Sequence, residues 1–182
     1  SPTAPPTSWC IPLDKRRLTP KQVALFGILG ALTFAAKLAL SPLPNIEPVS
    51  LMVMLFAVTF GLKCLYPIYV YVVMEYLVFG FHLWSINYLY VWTVLALVAL
   101  LLRKQDSPLL WAVVSGGFGL LFGALCAPVY LFSGGPAFAL TWWLSGIPFD
   151  LMHGAGNFVI ALLLFRPGRK LLQKLYRPFT TP

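Results

Sequence analysis

The sequence predicts an all-α membrane protein of six transmembrane helices with both termini in the cytoplasm. Three observations carry this expectation. Hydrophobic residues make up 59% of the 182-residue chain and charged residues only 10%, where an ordinary soluble domain carries about 25% charge. The apolar runs approach the length of about 20 residues that a helix needs to cross a bilayer. They are continuous, not alternating, which favours helices over a barrel. Finally, the basic residues fall only in every second connection, as shown below.

Residues 1–20 read as a flexible, basic, proline-rich tail, with Asp14, Lys15, Arg16 and Arg17 close to the membrane surface. Thr19 and Pro20 then form a helix start, Thr as N-cap and Pro at the first helical position. The domain that follows, residues 21–166, holds the six spans. The first covers about 21–40 and carries Gly27, Ala31, Ala35 and Ala39 at four-residue spacing. Such a flat stripe lets another helix approach closely, which drives association in lipid. It reads either as a docking face for a partner subunit or as ordinary packing within the chain. Lys37 is the only basic residue well inside a span.

The segment SPLPNIEP at 41–48 is a rigid loop, because its three prolines block helix formation. It contains Asn45 and Glu47. The second span covers about 49–62, with a tight turn at 61–63. The third covers about 65–80, with Tyr71, Glu75 and Phe79 on one face and His82 continuing it. A Glu in the bilayer is a functional candidate, with a protonated Glu bonded to a neighbouring helix as the plainer alternative. The loop 81–86 contains His82 and Trp84, and Asn87, Tyr88 and Trp92 open the fourth span, to about 102.

A polar turn at 103–108 leads to the fifth span, about 109–132, in which Gly119, Gly123 and Ala127 make a second small-residue stripe and Pro128 suggests a kink. The segment 133–145 reads as a loop. Its Trp142 and Trp143 suit an interfacial aromatic belt. The sixth span, about 146–165, carries Asp150, His153 and Asn157 three and four apart, hence on one helical face. Residues 167–182 read as a basic cytoplasmic tail.

Orientation follows from charge. Every one of the 13 Lys and Arg residues except Lys37 falls in the N-terminal flank, the 2–3 turn, the 4–5 turn or the C-terminal flank. The other three connections have none. The positive-inside rule therefore places both termini in the cytoplasm, and the net charge of +8 needs no nucleic acid to explain it. The polar outliers Lys37, Asn45, Glu47, Glu75, His82, Trp84, Asn87, Asp150, His153 and Asn157 then all lie toward the outside. That suits a pocket open outward and sealed from the cytoplasm. It does not suit a channel, which needs polar lining along its full depth. Glu47, Glu75 and Asp150 against one Lys favour a cationic or N–H-rich ligand, and Trp84, Tyr88 and Trp92 offer faces for stacking. Whether Lys37 pairs with Glu47 or with substrate is open at this level.

Together these residues resemble the substrate-binding S components of energy-coupling-factor (ECF) vitamin transporters, over about residues 20–170. The resemblance rests on the six short spans with both termini inside and on the stripe around Ala31 and Ala35. It also rests on the Pro-Asn-Ile-Glu-Pro segment at 44–48 and on the Gly-Ile-Pro-Phe-Asp start of the sixth span, with His153, Gly154, Gly156, Asn157 and Phe158. It implies an S-component-like bundle in the plasma membrane of a prokaryote, a high-affinity capture subunit for a small vitamin-like or heterocyclic micronutrient, with or without an amine. It also implies a transmembrane coupling subunit and two ATP-binding cassette ATPases as partners. Gly27, Ala31 and Ala35 would meet the coupling subunit, and the 41–48 loop would be a lid over the substrate.

The chain has no GxxxxGK[ST] pattern, in keeping with ATP hydrolysis on another subunit. Cys10, Cys64 and Cys126 are scattered, so neither a disulfide framework nor a zinc site is expected. No cofactor or metal is expected. Two other readings compete. A stand-alone secondary transporter would be expected to show an internal repeat, and none is convincing. An intramembrane enzyme using Asp150 and His153 would lack HExxH, a Glu-Glu pair and GxSxG, so no catalytic residue is assigned.

Overall fold

The computed structural model describes residues 18–43 and 46–179, and among these every regular element is a helix. Helix α1 (Pro20–Leu40) starts at the predicted cap. Thr19 Oγ1 accepts from the Gln22 N–H at 3.2 Å, and Gln22 Oε1 accepts from the Thr19 N–H at 3.3 Å. This reciprocal pair satisfies two amides that the first turn leaves open. Helix α2 (Val49–Phe60) ends at Gly61, whose φ of 61° is a left-handed conformation that a side chain would strain. Helix α3 (Leu65–Phe79) follows a single 3-10 turn, Gly61–Cys64. A short helix α4 (Leu83–Ile86) and a 3-10 turn (Asn87–Leu89) lead into α5 (Val91–Leu101). Helix α6 (Pro108–Leu120) is capped by Ser107 Oγ, which accepts from the Leu110 N–H at 3.3 Å. Helix α7 (Phe122–Tyr176) is broken at Gly135, where φ is 82°.

Four stretches are long and apolar enough to cross a membrane: Pro20–Leu40, Val49–Phe79, Leu83–Leu101 and Pro108–Phe179. Two of them double back. Phe26, near the start of α1, packs against both Phe60 at 5.0 Å and Tyr66 at 6.1 Å, so the end of α2 and the start of α3 lie level. The other end of α3 meets the other end of α1, through Lys37 and Glu75. Likewise α6 and the post-Gly135 part of α7 run antiparallel. A Cβ on Gly119 would meet the Gly154 backbone, and a Cβ on Gly116 would meet Phe158. The interior is filled by Phe26, Met54, Phe56, Ile68, Trp111 and Phe165, all fully buried. Large apolar side chains also cover the outside, Leu101 at 85% and Phe132 at 89% exposure, a surface suited to lipid.

Three expectations need correction. The 133–145 loop is helix apart from the Gly135 break. A left-handed glycine reverses the chain at once, and Pro136 then tolerates the first turn of a helix because it lacks the amide that would go unpaired there. The interruption in the fifth span lies at Leu121, between α6 and α7, while Pro128 sits within helix. The C-terminal segment, read as a tail, is helical through Pro167 to Tyr176. Tyr176 explains why. Its ring packs edge-on against Phe60 at 4.7 Å, and its hydroxyl accepts from Gln22 Nε2 at 3.3 Å.

The basic residues also help close one end of the bundle. The Arg169 guanidinium, buried among helix ends, donates to the carbonyl of Gln105 at 3.0 Å and to that of Arg103 at 3.4 Å. It thus satisfies carbonyls of the turn that joins α5 to α6.

Candidate functional site

The polar residues that the sequence singles out gather at the opposite end. Lys37, in the last turn of α1, reaches across to α3. Its ammonium lies 2.9 Å from the Glu75 carboxylate and donates to the Tyr88 hydroxyl at 3.1 Å. The same ammonium sits 5.0 Å from the Tyr88 ring centroid, close enough for a cation–π contribution. Glu47, just before α2, approaches Lys37 only to 4.0 Å through Oε2 and faces His153 Nε2 through Oε1 at 3.9 Å. Both separations are too long for a hydrogen bond. Burial pushes the Glu47 carboxyl above the usual carboxylate range, while the Lys37 charge pulls it back.

Two cavities flank this cluster, with Trp84 in the wall of each. The first, of about 270 Å³, is lined by Glu47, Asp150 and His153 and by the aromatic rings of Phe122, Trp142 and Phe149. The second, of about 240 Å³, is lined by Lys37, Glu75, His82, Ser85 and Tyr88. Trp84 stands 5.9 Å from both Phe122 and Trp142, and Trp142 stacks on Tyr130 at 3.8 Å. His153 meets the Phe122 ring edge-on at 5.0 Å.

The three carboxylates, treated alike in the sequence, do three different things. Glu75 forms the ion pair with Lys37. Asp150 accepts the Gly123 N–H at 3.0 and 3.2 Å through its two oxygens. The helix is interrupted at Leu121, so the amides of the next turn lack partners within it, and Asp150 caps one of them from the facing helix. Gly123 is needed there because a Cβ would collide with the Asp150 carboxylate. Glu47 alone has no close donor among the described residues. Replacing Asp150 with Ala should therefore lower stability by about 1–2 kcal/mol, the usual cost of losing a cap, measured as a shift in thermal unfolding of the purified protein. Asp150→Asn, which keeps an acceptor oxygen, should lose less.

Other singled-out residues serve the scaffold. His82 caps α4, its Nδ1 accepting from the Ser85 N–H at 3.2 Å, although it also lines the second cavity. Asn87 donates to the Trp84 carbonyl at 3.0 Å and accepts from the Tyr90 hydroxyl at 3.0 Å. Asn157 donates to Ser50 Oγ at 2.9 Å, tying α7 to α2. Asn87 and Asn157 line neither cavity. Trp92 is buried among Tyr71, Phe118 and Phe122 and offers no free face. Asn45 lies outside the described residues.

Several lining residues escape the sequence reading. Trp142, Ser145, Gly146 and Phe149 sit three, four and seven positions apart and continue the Asp150–His153 face of the helix. For Trp142 and Ser145 that periodicity is visible only if 136–145 is read as helix, whereas Gly146 and Phe149 already lie in the expected sixth span. The stripe on α1 is placed differently from its packing alternative. It is Gly30 that lets α3 approach α1, since a Cβ there would lie 2.6 Å from Val70. Around Gly27 a Cβ would meet nothing within 4 Å, Ala31 is half-buried and Ala35 is exposed.

Comparison with protein-family models, with curated proteins and with solved structures finds no match for the chain.

Proposed function

We propose that this protein is the membrane-embedded capture subunit of an ECF-type importer, binding a small vitamin-like or heterocyclic micronutrient. One observation carries the reading: polar and aromatic side chains line recesses at one end of the bundle, while the interior beyond them is filled by apolar residues. A binding protein that receives a solute on one side needs this asymmetry, and a pore does not.

In this reading the chain crosses the membrane six times, doubling back at Gly61 and at Gly135. The basic end faces the cytoplasm of a prokaryotic cell and the cavities face outward. ATP hydrolysis then belongs to partner ATPases, joined through a coupling subunit, in keeping with a sequence that carries no GxxxxGK[ST] pattern. The outward-facing Gly27, Ala31 and Ala35 surface of α1 supports that docking role, because small residues let a partner helix approach closely.

The test is affinity purification from the native membrane. A coupling subunit and two ATPases should accompany the wild-type chain. Ala35→Trp should lose them while retaining any bound small molecule, because Ala35 lines neither cavity. A chain that accumulates solute with no ATPase attached would instead be a stand-alone secondary transporter.

A further inference from the structure

The first cavity is lined by no Lys or Arg, and among the described residues two polar atoms beside it, one on Glu47 and one on His153, make no hydrogen bond. Glu47 Oε1 and His153 Nε2 stand 3.9 Å apart on its wall. His153 is 4% exposed, and its Nε2 has no hydrogen-bond partner. A buried ring nitrogen left in that state is unfavourable until something pairs with it. Among the described residues no donor comes within hydrogen-bonding distance of the Glu47 carboxylate, since Lys37 stops at 4.0 Å. Lys37 is committed to Glu75 and Tyr88, and it lines the other cavity. The remaining Lys and Arg side chains among the described residues belong to the opposite end of the bundle.

The walls are flat. Trp84, Trp142 and Phe122 present aromatic faces or edges, and the plane of Trp142 is fixed by its stack on Tyr130, tilted only 14°. The volume, about 270 Å³, falls below the range of roughly 300–1,000 Å³ typical of drug-sized ligands. One ring or a fused pair is the size that fits.

Resting on the capture reading above, we propose that this cavity selects by charge. It takes a planar ring, cationic or neutral, with an edge of N–H donors, and it rejects rings that bear a carboxylate or phosphate. Glu47 accepts from the donor edge, His153 Nε2 pairs with the adjacent ring atom, and the tryptophans cover the ring. A carboxylate in the same position would face Glu47 and Asp150, while the nearest ammonium, Lys37, is paired with Glu75 and lines the other cavity.

Benzamidine and benzoate test this directly, being planar, nearly equal in size and opposite in charge. Both are titrated into the intact purified protein in zwitterionic lipid nanodiscs, with binding read by calorimetry and by thermal shift. Benzamidine should bind saturably and raise the unfolding temperature, and benzoate should do neither. Glu47→Gln should weaken benzamidine by about tenfold or more, the usual loss when a charge-assisted hydrogen bond is removed. Gly146→Trp, which fills the cavity from a position where a Cβ meets nothing within 4 Å, should abolish binding. Its unfolding temperature provides a folding check independent of Glu47.

Three results would each overturn the inference: benzoate binding as tightly as benzamidine, neither probe binding, or benzamidine binding unchanged in both variants. The importer-subunit reading is tested separately, by co-purification of the ATPases.

Discussion

Gly119→Val is expected to separate α6 from α7 and to lower stability by about 3 kcal/mol, the upper part of the usual range for overpacking. A Cβ at 119 would lie 2.8 Å from Gly154 Cα, Gly154 N and His153 C. These are backbone atoms, so no rotamer change relieves the contact and the helices themselves must move apart. The same crossing holds Asp150 on Gly123 and positions His153 at the first cavity. Ligand binding should therefore fall together with stability. Gly117→Val is the control, because a Cβ there meets nothing within 4 Å. Its effect should stay within about 0.5 kcal/mol, as for an ordinary surface change. Thermal unfolding in detergent, run side by side, separates the two. Equal effects would mean that the close approach of α6 and α7 is not a determinant of stability.

Glu75→Gln is expected to be nearly as costly, at about 3 kcal/mol. Glu75 and Lys37 are both largely shielded, with side-chain exposures of 7% and 22%. Removing the carboxylate leaves the ammonium with Glu47 at 4.0 Å as its nearest counter-charge. Lys37→Met combined with Glu75→Gln removes both charges together and should recover most of the loss, since the penalty comes from the charge left behind and not from the missing bond. If the double variant is no more stable than Glu75→Gln alone, the pair is not coupled in the way its geometry indicates.

How much of this was legible in the sequence depends on the residue. The start of α1 was readable because Thr19, Pro20 and Gln22 are local signals that act on local amides. The end of α2 was readable for a similar reason, since Gly61 marks a turn on its own. The helix after Gly135 was not readable. Two glycines and a proline describe a loop equally well, and only the left-handed φ at Gly135 makes them a reversal followed by a helix start. That misreading hid Trp142 and Ser145 from the site, because their spacing to Asp150 and His153 counts only along a continuous helix.

The charged cluster was legible as residue types and as one end of the bundle. Its pairing was not. Lys37 and three carboxylates allow several combinations, and which one forms depends on the distances between α1, α3 and the 46–48 segment. Asp150 shows the same limit. An acid in an apolar span suggests a ligand, yet here it caps an amide freed by an irregularity at Leu121 that no residue type announces. Asn157 likewise reads as a binding residue and serves as a tie to Ser50.

The central claim is that the first cavity holds a captured small molecule. Native mass spectrometry of the protein purified gently from cells grown in rich medium tests it most directly, with Gly146→Trp prepared in parallel. The wild-type chain should carry a stoichiometric small-molecule adduct and the cavity-filled variant none. A wild-type chain without an adduct, or the same adduct on both proteins, would contradict it.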